Sequence, residues 1–289
     1  MSVKKRDPLT GHQTTGHEWN GITELNTRVP RVIWWFILVT HLYALIAWVL
    51  LPAWPGITGY TKGILGIDQQ ERVERQVADL RAARAPWRDR IAAATVENIR
   101  ADPDLSAKVA ETGPALFGDN CAACHGAQGQ GGPGYPSLVD DAWLWGGDAE
   151  AVLETLRVGI NADHPDTRFA QMLSFDGILS RDEIRTVAAY VQSLSGMETG
   201  ADPDRLAEGQ VLFMDNCASC HGDAATGNTD LGAPNLTDDH WIYGGDDAAI
   251  FTTILRGREG WMPAWEGRLD LADRKILAAY IQDLKGQAQ

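Results

Sequence analysis

Twenty consecutive uncharged residues, from Val32 to Leu51, constrain the fold of this chain more than any other feature. A helix rises about 1.5 Å per residue, so a run of this length matches the hydrocarbon thickness of a bilayer. The run is too long, and begins too late, for a cleaved signal peptide. Tryptophan rings favour the lipid–water interface, and they cluster toward both ends of the run: Trp34, Trp35, Trp48 and Trp54. We predict an uncleaved transmembrane helix over residues 32–51.

Basic residues lie mainly on the N-terminal side of this predicted span. The residues that follow it, 51–70, carry only Lys62, whereas the basic residues that precede it are Lys4, Lys5, Arg6, Arg28 and Arg31. Flanks rich in lysine and arginine stay in the cytoplasm. We therefore expect residues 1–31 to be a cytoplasmic segment and the remainder of the chain to lie in the periplasm, anchored to a bacterial inner membrane.

One ionisable residue, His41, lies inside the apolar run. An ionisable side chain within a bilayer is a candidate functional group. No other residue of the span could complete a site with it, so a neutral histidine facing a partner helix is the favoured interpretation.

Charge is divided unevenly along the chain, whose net charge is −14. Residues 1–100 hold 13 Lys and Arg against 9 Asp and Glu, whereas residues 101–289 hold 12 against 30, a net of −18. Phosphate backbones require the opposite sign, which excludes nucleic acid as a natural partner. The acidic part favours a basic protein partner, or serves only solubility.

Residues 52–107 form a predicted connector beyond the span. Asp68 and Glu71 have the spacing of a capping box, so a helix is predicted to begin there. Pro86 is predicted to end this helix, and a second helical stretch is predicted from Trp87 to Ile99. The connector is therefore interpreted as a helical periplasmic linker.

Beyond residue 108 the sequence repeats. The segment DNCAACHG at 119–126 returns as DNCASCHG at 215–222, and Trp143 returns as Trp241. Two copies of this length indicate tandem domains, over residues 108–199 and 203–289, rather than a solenoid. Each copy shows helical spacing over a middle helix (150–158, 248–255) and a closing helix (180–194, 270–284), with no alternating strand pattern. The predicted class is all-α.

Each copy contains one Cys-x-x-Cys-His motif. Zinc would require four nitrogen or sulfur ligands at each site, but each cysteine pair has only one adjacent histidine. A thioredoxin-like redox pair would require a βαβ context, which the sequence pattern lacks. The motif is typical of c-type haem, in which both thiols bond to the porphyrin and the histidine binds the iron. We therefore predict two covalently bound haem c groups, at Cys121, Cys124 and His125 and at Cys217, Cys220 and His221.

A methionine from the loop before the closing helix is the expected second axial ligand. Met172 lies 47 residues after His125, and Met262 lies 41 residues after His221, so sequence order pairs each methionine with the motif that precedes it. Met262 precedes a proline that fixes its loop, whereas Met172 precedes a leucine and is less constrained. The alternative ligands are Met197, Met214 and His164.

The sequence offers no catalytic constellation. No Ser/His/Asp set or carboxylate pair suggests hydrolysis. Three tryptophans that follow the motifs are interpreted as covers of apolar haem edges rather than as electron relays: Trp143, Trp145 and Trp241. The predicted role is electron transfer, with no catalytic residue in this chain.

These features together resemble the di-haem c-type subunit of cbb3-type cytochrome c oxidases, the CcoP/FixP family, over nearly the full length. The segment from Gly16 to Asn26, GHEWNGITELN, is similar to the short cytoplasmic motif of that family. The resemblance implies one N-terminal transmembrane helix followed by two tandem cytochrome c domains. It also implies haem attachment at Cys121, Cys124, Cys217 and Cys220, with axial ligands His125, Met172, His221 and Met262.

The resemblance further implies a place in a respiratory complex. The chain would accept electrons from a donor cytochrome c and pass them to a mono-haem subunit, then to the oxygen-reducing haem–copper subunit of a proton-pumping oxidase. Two alternatives stay open. One is a free-standing membrane-anchored shuttle or the cytochrome subunit of a dehydrogenase, and the other is an enzyme or gas sensor with a five-coordinate haem.

Overall fold

The computed structural model describes residues 5–288, so Lys4 of the predicted basic flank lies outside the described residues. Two compact units divide the chain, residues 1–83 and residues 84–289. The first contains the N-terminal hairpin and the apolar helix, and the second contains both Cys-x-x-Cys-His motifs.

A short antiparallel hairpin precedes the apolar helix. Strands β1 (Thr14–Trp19) and β2 (Ile22–Leu25) pair Trp19 with Ile22 across a two-residue turn. Asn20 and Gly21 both have positive φ, 49° and 86°, as a type I′ turn requires. The all-α prediction did not include these strands, because ten strand residues give little alternation to detect.

Helix α1 (Arg31–Leu50) coincides with the predicted span to within one residue. Among the described helices it is the one that is long and apolar enough to cross a membrane, and none of its residues is buried. Its polar side chains bond to the helix itself: Thr40 Oγ1 donates to Phe36 O at 2.9 Å, and His41 Nδ1 lies 2.8 Å from Ile37 O. Satisfying polar groups internally is what a lipid environment demands.

The connector forms helices α2 (Gln69–Ala93) and α3 (Val96–Ala101). Asp68 caps α2 as predicted, since its Oδ1 accepts from the backbone N–H of Glu71 at 3.3 Å. The prediction that Pro86 ends the helix is wrong, because Pro86 lies inside α2. A proline within a helix removes one hydrogen bond, but the last turns of α2 bury Ile91 in the core described below, which stabilises the continued helix.

Each repeat supplies four helices. The first supplies α4 (Pro103–Asn120), α5 (Ala122–His125), α6 (Ala149–Val158) and α7 (Arg181–Leu194). The second supplies α8 (Pro203–Asn216), α9 (Ala218–His221), α10 (Asp247–Arg256) and α11 (Leu271–Ala288). The middle and closing helices were predicted correctly, because their apolar residues recur at helical spacing and an aspartate or serine caps the N-terminus of α6, α7 and α10.

The two hydrophobic cores each combine helices from both repeats. The first core contains Phe117 of α4, Leu156 of α6 and Ile276 of α11. The second contains residues of α7, α8 and α10: Val187, Phe213 and Ile250. The closing helices α7 and α11 are therefore exchanged between the repeats.

Glycines on α4 and α8 allow the closing helices to cross closely. A Cβ at Gly113 would lie 2.8 Å from Cγ of Tyr280 on α11, and one at Gly209 would lie 2.6 Å from Cβ of Tyr190 on α7. The same tyrosines pack against aromatic rings of α4 and α8, edge-on to Phe117 at a centroid distance of 5.7 Å and tilted against Phe213 at 5.6 Å. The ranges 108–199 and 203–289 thus describe the sequence repeat, and each core draws on both of them.

Candidate functional site

The first motif lies at the end of α4, where α5 makes a single turn. Cys121 is buried and Cys124 is exposed, and both are free thiols. His125 donates its Nδ1 hydrogen to Pro136 O at 2.9 Å, which leaves the Nε2 lone pair available to a metal. Burial lowers the pKa of His125, so the ring is neutral, the form that binds iron.

The second motif repeats this arrangement. His221 donates from Nδ1 to Pro234 O at 3.1 Å, and burial lowers its pKa as well. Cys220 is exposed, whereas burial raises the pKa of Cys217 to about 11 and that of Cys121 to about 11. Each motif therefore presents one neutral, largely buried thiol and one exposed thiol beside a neutral imidazole whose Nε2 is free.

The two methionine loops are held by backbone pairing with the other repeat. Met262 and Ile160 exchange two N–H···O bonds of 2.9 Å, and Met172 and Arg258 exchange bonds of 2.8 and 3.0 Å. Gly159, beside Ile160, has a φ of +68°, and a Cβ there would lie 2.6 Å from Met262 O. The glycine is needed because the Met262 loop approaches its backbone directly.

Met262 lies beside the first motif and Met172 beside the second, which is the reverse of the pairing by sequence order. Met262 packs against the core that contains Phe117 and Cys121, whereas Met172 packs against the core that contains Phe213, with Cys217 packed on that same core. The exchange of closing helices explains the difference, since each methionine loop leads directly into the closing helix of that core. Sequence order alone could not reveal this.

The alternative ligands are placed differently. Within residues 5–288 neither Met197 nor Met214 packs against either core, and Met214 is 42% exposed on α8. His164 donates from Nε2 to Glu266 at 3.0 Å and accepts at Nδ1 from the backbone N–H of Asp166 at 3.0 Å. Both of its ring nitrogens are thus engaged away from the motifs.

Unsatisfied buried donors test whether a haem fits this protein. Four buried side-chain nitrogens of the described residues lack a hydrogen-bond partner: Trp145 Nε1, Arg168 Nε, Trp241 Nε1 and Arg274 Nε. Leaving such a donor unpaired costs about 1–3 kcal/mol. A haem carries two propionate carboxylates, which accept hydrogen bonds, and the thiols, imidazoles and thioethers described above are the groups that hold haem c. The residues present therefore fit the cofactor.

The sequence reasoning missed Arg168 and Arg258, which lie four residues before Met172 and Met262. The offset of 90 that relates the two methionines also relates the two arginines. That shared offset is the signal that could have identified them as part of the repeated site.

Three family models match successive parts of the chain. The N-terminal domain of cytochrome oxidase-cbb3, FixP, matches residues 11–58. Cytochrome c matches residues 110–195, and cytochrome C oxidase, cbb3-type, subunit III matches residues 204–281. The matched ranges contain the hairpin with the apolar helix, the first motif and the second motif.

Similar proteins match over the whole length. The chain is 46% identical over 284 residues to the Cbb3-type cytochrome c oxidase subunit FixP of Bradyrhizobium diazoefficiens, covering 97% of each chain. It is 44% identical over 298 residues to the subunit CcoP of Azospirillum sp. (strain B510), covering 99% of each. It is 41% identical over 290 residues to the subunit CcoP of Cereibacter sphaeroides, again covering 99% of each.

Proposed function

Because this chain belongs to the FixP/CcoP family of cbb3-type cytochrome c oxidase subunits, we propose that it carries electrons into the oxidase. It accepts them from a donor cytochrome c and passes them to the mono-haem subunit, then to the oxygen-reducing haem–copper subunit. The resemblance and the fold class predicted from the sequence are both confirmed. As an oxidase subunit the chain associates with other subunits of that complex.

The observation that carries the proposal is the pair of equivalent sites. Each site has an imidazole with a free Nε2, buried at His221 and partly buried at His125, together with two thiols in the adjacent turn and a methionine loop packed on the same core. A haem iron held there supplies a one-electron couple, and methionine ligation raises its potential. Carbonyl oxygens of Pro136 and Pro234 fix each imidazole ring, so the ligand nitrogens need little reorganisation.

The proposed ligand sets cross between the repeats. A first haem would be attached through Cys121 and Cys124, with His125 and Met262 as the residues that would bind its iron. A second haem would be attached through Cys217 and Cys220, with His221 and Met172 as the residues that would bind its iron. The same eight residues were predicted from the sequence, and the packing supports a different pairing of the methionines.

The charge distribution supports a basic electron donor. Residues 101–289 carry a net charge of −18, before the haem propionates are counted. An acidic surface attracts a basic cytochrome c and raises its association rate at low salt. The proposed orientation places residues 1–31 in the cytoplasm and both haems in the periplasm, where such a donor would be found.

Purification of the complex in detergent tests this function. We expect the chain to copurify with b-type haem and copper, to carry two covalent haems, and to be reduced by a donor cytochrome c. A chain with two haems that purifies without b-type haem and copper would instead be a free-standing shuttle. A reduced high-spin spectrum would indicate an open iron position and a sensor or enzyme.

A further inference from the structure

Two arginines occupy equivalent positions beside the methionine loops, each over an aromatic ring. Cζ of Arg168 lies 4.9 Å from the ring centroid of Trp145, and Cζ of Arg258 lies 4.1 Å from that of Tyr243. The aromatic residues are related by the repeat offset of 98 and the arginines by the offset of 90. The repeat has therefore placed one arginine–aromatic pair at each site.

Arg168 and Trp145 share an unsatisfied, buried polar edge. Arg168 Nε and Trp145 Nε1 are both buried, and neither has a hydrogen-bond partner. Arg168 Nη2 makes only a long bond of 3.4 Å to Ala151 O on α6. Gly232 lies directly against the Trp145 ring, since a Cβ at Gly232 would overlap it. Two fixed donors thus lie together with nothing to accept from them.

The missing acceptor is anionic. Arg168 forms no ion pair within 4.0 Å among the described residues. The neighbouring carboxylate of Glu154 pairs with Arg157 instead, at 2.8 Å, and the charge of Arg168 only adds to the lowering of the Glu154 pKa that the Arg157 hydrogen bond causes. A partly buried guanidinium without a directly bonded anion is costly, which points to an anion supplied by a bound group.

The position of this edge identifies the group. Ala151 lies on α6, and α6 packs Val152 and Leu156 into the core that contains Cys121. Trp145 lies four residues before that helix, and its ring also lies against Gly232 in the loop after the second motif. The bond from Arg168 to α6 therefore assigns the unpaired donors to the half of the unit that holds the first motif, where the proposed haem brings two carboxylates.

We propose that Arg168 and Trp145 bind a propionate carboxylate of the haem attached at Cys121 and Cys124, an inference that rests on the proposed function. By the repeat, Arg258 and Tyr243 serve the haem of the second motif. Arg258 already donates from Nε and Nη2 to Thr253 Oγ1, at 3.0 and 2.8 Å, so it has fewer free donors than Arg168. Its contribution is correspondingly smaller.

Charge neutralisation of the propionate is the expected effect of Arg168. An ionised propionate without its cation stabilises the oxidised iron, so loss of Arg168 lowers the reduction potential of that haem. Arg168→Gln is expected to shift the reduction equilibrium of one haem about tenfold toward the oxidised form, which is about 59 mV for one electron. Arg168→Lys keeps the charge and is expected to restore most of the potential.

Redox titration of the full chain in the detergent-purified complex measures this shift. The matched control is Arg185→Gln, because Arg185 also lies over an aromatic ring, 5.3 Å from the centroid of Phe251, but on an exposed face of α7. The control is expected to change neither potential. Arg258→Gln is expected to lower the other potential, by less.

Covalent haem content, measured on every variant, separates the two proposals. Two haems per chain with both potentials unchanged in Arg168→Gln would overturn the propionate assignment and leave the proposed function intact. Equal shifts of both potentials would also overturn it, since a general structural change would then be the cause. If Arg168→Gln does not fold, Trp145→Phe removes only the Nε1 donor, and an unchanged potential in that variant overturns the assignment. Absence of covalent haem from the unsubstituted chain would overturn the proposed function itself.

Discussion

Leucine substitutions at the two methionines test which haem each one serves. We expect Met262→Leu to remove thioether ligation from the haem of the first motif, and Met172→Leu to remove it from the haem of the second. The reason is that Met262 packs with Cys121, and Met172 packs on the core beside Cys217. The affected haem should also show a lower potential, because methionine ligation raises it.

The fold should survive either substitution. A methionine-to-leucine change nearly conserves volume and costs less than about 1.5 kcal/mol. The two hydrogen bonds of 2.9 Å between Met262 and Ile160 involve only the backbone. At roughly 0.5–1.5 kcal/mol each, they hold the loop by about 1–3 kcal/mol whichever side chain is present. The experiment therefore measures loss of a ligand rather than loss of structure.

The assay uses a full-length chain in which only the first motif can attach haem, made by Cys217→Ala with Cys220→Ala. Near-infrared spectra of the oxidised protein report whether the remaining haem has a methionine ligand. In this background we expect Met262→Leu to abolish that signal and Met172→Leu to leave it unchanged. Met214→Leu, at an exposed position, is the matched control. Loss of the signal in Met172→Leu alone would refute the crossed pairing and favour the pairing by sequence order.

Three further predictions concern the loop contacts, donor docking and acid stability. Gly159→Ala would place a side chain at a positive φ, with its Cβ 2.6 Å from Met262 O. It should therefore destabilise the haem-loaded protein by about 2–4 kcal/mol. An unchanged thermal unfolding midpoint would contradict the close approach. Donor oxidation should slow as salt is raised, because a net charge of −18 attracts the donor over residues 101–289, and a rate independent of salt would rule out electrostatic steering. The N–H of Leu105 lowers the pKa of Asp102 below 3.8, so its carboxylate contributes stability above that value, and the contribution is lost as pH falls through the lowered pKa. Asp102→Asn should therefore unfold with a weaker acid dependence, and an identical pH profile would contradict the capping role.

The features predicted correctly from the sequence are those specified by local patterns. The apolar run around His41 marks α1, and apolar residues at helical spacing mark α7 and α10, whose first turns Ser180 and Asp246 cap in the structure. Hydrogen bonds within a few residues determine these elements, so their signals lie within short windows. Pro86 shows where short sequence windows fail. The rule that proline ends a helix considers only local residues, whereas burial of residues after Pro86 stabilises the continued helix α2.

The pairing of the methionines could not be predicted in the same way. Tyr280 packs on Phe117, and Tyr190 packs on Phe213, but each tyrosine lies in an equally good closing helix that could serve either core. The two repeats are so similar that the apolar spacing of a closing helix fits packing on its own repeat and packing on the other repeat equally well. The role proposed for Arg168 was hidden for a related reason, since its unpaired Nε becomes evident only when burial and neighbours are known.

The exchanged closing helices make one haem domain an insertion within the other. The first core uses the end of α2 together with α3, α4, α6 and α11, whereas the second is built from residues between Met172 and Leu255. The chain passes into the inserted domain after Ile160 and returns to the first domain at Met262, and these two residues exchange backbone hydrogen bonds. Insertions are tolerated where the two ends of the inserted domain lie close together, and the pairing of Ile160 with Met262 holds these ends together. The first domain therefore receives its last helix, α11, only after the whole inserted domain has been synthesised. We expect truncation within α11 to reduce covalent haem at Cys121 and Cys124 and to leave attachment at Cys217 and Cys220 unchanged, as measured by haem content per motif.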